Sequence, residues 1–124
     1  FIDPVDDETY LYTQFESADA RRMYACFEQP DLKATFQLTV TAPGHWQVIS
    51  NAPTPDPEAA GPGMAVWNFD ASARMSTYIT ALVAGPYHVV RDSYTGPHGT
   101  PPPDSSRDFF SVFGFFTDIL NLFT

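Results

Sequence analysis

The chain is short of cysteine, of positive charge and of catalytic signature motifs, and each shortage excludes something. Cys26 is the only cysteine among 124 residues, so no disulfide framework forms within the chain. A lone thiol fits a reducing compartment, and the expected location is cytoplasmic. Six Lys and Arg stand against fifteen Asp and Glu, for a net charge of −9. The longest basic run is Arg21-Arg22. Phosphate contacts need clustered cations, so nucleic acid is not an expected partner. Cationic ligands and peptide amino termini stay open as partners of so acidic a chain. His45, His88 and His98 are scattered, and none is followed by Glu, so there is no H-E-x-x-H zinc motif. The C-x-x-C, P-loop, GxGxxG and G-x-S-x-G patterns are missing as well. The chain opens at Phe1 with no signal-peptide pattern, as a mature product or a fragment would.

What is present points to a β protein. Apolar residues make up 44% of the chain, enough for a core. Twelve prolines are about twice the usual share of roughly 5%, and with the many aromatics they favour short strands and loops over long helices. Residues 9–16, TYLYTQFE, alternate, with Leu11, Thr13 and Phe15 on one side and Tyr12, Gln14 and Glu16 on the other, as in a half-buried strand. Residues 17–29 read as a short helical turn, capped by Ser17 and stopped by Pro30. ATFQLTV (34–40) is a strand with Phe36, Leu38 and Val40 on one face. Pro43-Gly44 turns the chain, and 46–50 is its expected hairpin partner. The Pro/Gly-rich stretch 51–63 is a surface loop.

Residues 64–70 follow as a strand with Ala65, Trp67 and Phe69 alternating. Residues 76–85 end in an almost continuous apolar run, which marks a central strand, and 87–94 is expected to pair beside it. The reading is about six strands in antiparallel pairs over residues 1–95, forming a sheet or sandwich. Residues 96–104 form a Pro/Gly linker. The tail, 105–124, carries six of the eleven phenylalanines. Phe109, Val112, Phe113, Phe116, Leu120 and Phe123 recur at helical spacing, so an apolar helix is expected to end the chain. It is too short and too interrupted by polar residues for a membrane span, and its expected partner is protein.

Several separate stretches carry a family resemblance. Thr13-Gln14-Phe15-Glu16, Asp19-Ala20-Arg21-Arg22, Cys26-Phe27-Glu28-Gln29-Pro30 and Lys33-Ala34-Thr35-Phe36 stand in that order. Ser50-Asn51-Ala52-Pro53 and Met75-Ser76-Thr77-Tyr78 follow, the latter leading into Ala81-Leu82-Val83-Ala84-Gly85. Together they resemble the N-terminal β domain of the zinc-dependent aminopeptidase N family, over residues 9–95. The family's Asp-Glu in the C-F-D-E-P segment is Glu28-Gln29 here.

The resemblance implies an antiparallel, saddle-like β domain that packs on a thermolysin-like catalytic domain. It implies zinc in the full-length enzyme, bound by that absent catalytic domain through H-E-x-x-H, and a peptide substrate whose amino terminus is gripped in part by this domain. By position, Glu16 is the residue that holds the substrate ammonium, and Gln14 lines the pocket. A carboxylate and an amide at i and i+2 of a strand share a face roughly 7 Å apart, a sensible cradle for R-NH3+. The chain has neither the zinc motif nor the family's G-x-M-E-N loop, so it is expected to be silent in catalysis by itself. RDFFSVFG (107–114) faintly resembles the start of the catalytic domain.

Other residues take structural readings. Arg21 and Arg22 are expected to pair with Asp19 or Glu28 near the turn, and Cys26 to be a buried small residue rather than a nucleophile. His45 and His88 read as surface or packing residues, and Tyr12 and Tyr78 as sheet residues. Two other functions stay open: a stand-alone β-sheet module that binds a protein or peptide, and a truncated remnant without function.

Overall fold

The fold follows the alternation of the sequence closely in some stretches and departs from it in others. A computed structural model describes residues 1–89. The expected linker at 96–104, the Phe-rich helix at 105–124 and most of the strand expected over 87–94 lie outside the described residues. Six strands occur among the described residues: β1 (Leu11–Tyr12), β2 (Thr39–Pro43), β3 (Gln47–Ser50), β4 (Glu58–Ala59), β5 (Met64–Asn68) and β6 (Leu82–Gly85). They form two antiparallel three-stranded sheets, ordered β1-β6-β3 and β2-β5-β4. The fold is thus mostly β, in two sheets, as expected.

One core serves both sheets. Ala42 of β2 and Ala65 and Trp67 of β5 meet Val48 of β3 and Leu82 and Ala84 of β6, with Phe69 beside them. The alternation of 64–70 places Ala65, Trp67 and Phe69 inside and Met64, Asn68 and Asp70 outside. Phe36, Leu38 and Val40 alternate with exposed Thr35, Gln37 and Thr39, again as expected. The regular strand, however, starts only at Thr39. Before it, 34–38 keeps intermittent bonds to 69–75: Phe69 N–H donates to Leu38 O at 3.0 Å, Ser72 N–H to Phe36 O at 2.8 Å, and Ala34 and Met75 exchange a pair at 3.0 and 2.9 Å. All four residues of β6 are buried, and β6 is the centre of its sheet, as a continuous apolar run requires.

Several expectations are corrected. β2 and β3 are not a hairpin, because β2 pairs with β5 and β3 with β6. The turn after Pro43 carries the chain from one sheet to the other. Ala42 and Val48 bury into the same core either way, so alternation alone cannot tell a hairpin from a sheet change. Secondly, the loop 51–63 contains β4, an edge strand on β5. Gly61 and Gly63, with φ of 112° and 69°, allow the tight return that joins the two. Thirdly, Thr77–Ile79 is a 3₁₀ turn rather than strand, so Tyr78 is not a sheet residue, and Tyr87–Val89 is not strand either. Finally, the strand expected over 9–16 is regular only at Leu11–Tyr12.

The helical turn expected over 17–29 is a single 3₁₀ turn, Ala20–Arg22, preceded by Asp19 rather than capped by Ser17. Ala20 is fully buried. Arg22 reaches Asp19 at 4.0 Å, an exposed pair of little energetic weight in water. Glu28 works inward: its Oε1 accepts from Arg21 N–H at 2.7 Å and from the Cys26 thiol at 3.3 Å. Cys26 is half-buried rather than buried. Burial, with the Glu28 carboxylate beside it, pushes the Cys26 thiol up from its ordinary range. A raised pKa leaves less thiolate at a given pH. Alkylation by iodoacetamide at pH 8 is therefore expected to run slower at Cys26 in the folded chain than at free cysteine, and to match free cysteine in urea. An equal or faster folded-state rate contradicts this.

Candidate functional site

The motifs that are apart in sequence are tied together in space, mostly through residues 75–82. Ser50 Oγ donates to Ala81 O at 2.7 Å. Asn51 bridges two backbone groups, its Nδ2 donating to Ile79 O at 3.0 Å and its Oδ1 accepting from Ala81 N–H at 2.7 Å. Ser76 Oγ donates to Pro30 O, and Tyr24 Oη donates to Thr77 O at 3.1 Å and lies 2.8 Å from Thr80 Oγ1. Small polar side chains here act as backbone clamps, so the 75–82 segment holds both the 20–30 turn and the end of β3. Side chains that satisfy buried main-chain groups in this way fix loops that have no ladder of their own.

The same segment positions Gln14 and Glu16. β1 lies against β6 with Leu11 opposite Ala84 and Tyr12 opposite Val83. One step on, Thr13 N–H donates to Leu82 O at 3.1 Å and Thr13 Oγ1 accepts from Leu82 N–H at 2.8 Å. After Thr13 the chain leaves the sheet. Phe15 is buried to 7% exposure, and its carbonyl accepts from Asp19 N–H at 3.0 Å. Gln14 and Glu16, on either side of it, are both exposed. The shared-face argument for a strand does not hold here, because β1 has already ended. What turns both side chains outward is the buried ring between them, with the chain pinned before it at Thr13 and after it at Asp19.

A carboxylate and a carboxamide so held can accept hydrogen bonds from a cationic group in solution. The sequence pointed to these two residues; it did not single out Thr13 and Phe15 as their supports. The available signal was only the residue type, a Thr within the alternating run, whose hydroxyl can bond a backbone group. His45 and His88 are exposed, and His98 lies outside the described residues. Among the described residues no three His, Cys, Asp or Glu side chains converge as metal donors. The zinc that the family resemblance implies therefore finds no donor set in residues 1–89. No helix among the described residues is long and apolar enough to cross a membrane.

Fold and site together define a class: an all-β domain that presents a Gln–Glu pair on a pinned bend at a sheet margin. Comparison with known proteins makes the class specific. Residues 4–79 match the Peptidase M1 N-terminal domain. Aminopeptidase N of Streptomyces lividans is 61% identical over 94 residues, covering 76% of this chain and 10% of the relative. Aminopeptidase N of Acetobacter pasteurianus is 44% identical over 86 residues, 69% of this chain and 24% of the relative. A probable aminopeptidase 1 of Sulfurisphaera tokodaii is 35% identical over 115 residues, 90% of this chain and 14% of the relative. The chain belongs to the Peptidase M1 N-terminal domain family. It spans a quarter or less of the length of these curated relatives.

Proposed function

We propose that this chain is the substrate-gripping N-terminal domain of a zinc metalloaminopeptidase, an enzyme that removes amino-terminal residues from peptides. The observation that carries the reading is the exposed Gln14–Glu16 pair, held outward between the Thr13 clamp and the buried Phe15. In this role the Glu16 carboxylate accepts hydrogen bonds from the substrate's α-ammonium, and the Gln14 amide lines the same pocket. Charge-assisted bonds of this kind favour a charged amino terminus over an acylated one.

The partner is a thermolysin-like catalytic domain, which holds the zinc. No step of the binding role passes through the metal, and the chain by itself is inactive. Exposed apolar side chains, Phe27 at 88% and Leu32 at 49%, offer surface for such a neighbour. The three relatives described above are aminopeptidases or a probable aminopeptidase, which supports the reading.

The test uses the complete enzyme and one peptide in two forms, with a free and with an acetylated amino terminus. Release of the first residue is expected from the free form only. Comparable turnover of the acetylated form overturns the proposal.

A further inference from the structure

We infer that Thr13 is the positioning residue for the amine-gripping pair, acting through its hydroxyl. The inference rests on the binding role proposed for Glu16 and Gln14. In an antiparallel ladder, a hydrogen-bonded pair of residues exchanges two main-chain bonds. Such pairs alternate with pairs that exchange none. With Leu11 opposite Ala84 and Tyr12 opposite Val83, Thr13 comes opposite Leu82 as the next hydrogen-bonded pair. The first of its bonds is regular, Thr13 N–H to Leu82 O at 3.1 Å. In the second, the acceptor for Leu82 N–H is the Thr13 hydroxyl oxygen at 2.8 Å, where a continuing ladder would use the Thr13 carbonyl.

The substitution has a geometric consequence. Leu82 lies in the central strand at 9% exposure, and its amide needs a partner. With the hydroxyl filling that need, the Thr13 carbonyl is released from the ladder. The backbone can then rotate away from β6 at Gln14 while β6 stays satisfied. That is where β1 ends and where the bend carrying Gln14 and Glu16 begins. A side chain without a hydroxyl removes the alternative acceptor. Either Leu82 N–H is left unpaired, or the carbonyl returns to it and draws Gln14 back into line with the strand. In the second case the Gln14–Glu16 pair moves, and small displacements of a positioned group cost binding heavily.

The experiment compares Thr13→Val, Thr13→Ser and Glu16→Gln in the complete enzyme, on an unblocked substrate. Valine keeps the shape and loses the acceptor. T13V is expected to raise KM about tenfold with a smaller change in kcat. T13S, which keeps the hydroxyl, is expected to restore KM to within about threefold of the parent. A purely structural defect lowers the amount of folded enzyme and leaves the KM of what remains unchanged. Should T13V not accumulate, Thr13→Ala serves the same comparison. A parental KM in the hydroxyl-free variant, while E16Q is impaired, overturns the role of Thr13 alone. A parental kcat/KM in E16Q overturns the amine-site reading, and the role of Thr13 with it.

Discussion

Replacing Glu16 with glutamine in the complete enzyme is expected to lower kcat/KM on unblocked peptides by roughly ten- to a hundredfold. The change is nearly isosteric and leaves an acceptor oxygen in place, so what it removes is charge. A hydrogen bond to a charged group contributes about 1.5–3 kcal/mol, and each 1.4 kcal/mol is about a factor of ten. Glu16 is exposed and stands beside a buried anchor, so the substitution leaves the core untouched. Folded yield and thermal midpoint should stay close to the parent. The loss should be confined to substrates with a free ammonium, so the preference over an acetylated analogue narrows. A glutamine variant with parental kcat/KM on free-amine substrates would show that Glu16 is a solvated surface charge.

Phe69→Ala is expected to be the most damaging single truncation in the described core. Phe69 is 1% exposed and packs among residues of both sheets. Its amide also ties 34–38 to the segment after β5, donating to Leu38 O at 3.0 Å. Removing a buried phenyl ring costs about 3–5 kcal/mol in lost transfer energy and cavity. A domain of this size has only about 5–15 kcal/mol in total. Urea denaturation of the full chain should show a midpoint lowered by about a fifth or more, or no cooperative transition at all. Phe27→Ala is the control: at 88% exposure its effect should stay within about 0.5 kcal/mol. Equal sensitivity at the two positions would contradict the core described here.

How much of this was legible beforehand differs by residue. Where one side of an extended stretch turns to the core, alternation reports it directly, as at buried Ala65, Trp67 and Phe69 and at half-buried Phe36, Leu38 and Val40. The continuous run Leu82–Gly85 was equally readable as a central strand, because a strand covered on both faces has no polar side. Pairing was not readable. Pro43-Gly44 between two alternating runs is a good hairpin signal, yet β3 pairs with β6 in one sheet while β2 pairs with β5 in the other. β4 was hidden because a two-residue edge strand of Glu58 and Ala59, both exposed, has no apolar pattern to show.

The candidate site divides in the same way. Gln14 and Glu16 were identified from the local pattern T-Q-x-E, and both are exposed. The reason offered for their common direction, a shared strand face, was wrong for this bend. The actual supports are long-range. Thr13 bonds Leu82, which is 69 residues away in sequence, and no local signal reports such a partner. The polar residues of the S-N-x-P and M-S-T-Y segments are clamps on backbone far along the chain, which their types permit but do not announce.

From residues alone come the all-β class, the buried faces of its main strands, the family and the two polar residues of the candidate site. These depend on local periodicity and on motifs read along the chain, and both survive without coordinates. The tertiary structure decided which strands pair, that the turn after Pro43 changes sheets, and that a threonine hydroxyl ends β1 where the Gln14–Glu16 bend begins. Those outcomes depend on which distant backbone groups must be satisfied once a shared core has formed. That accounting closes only in three dimensions.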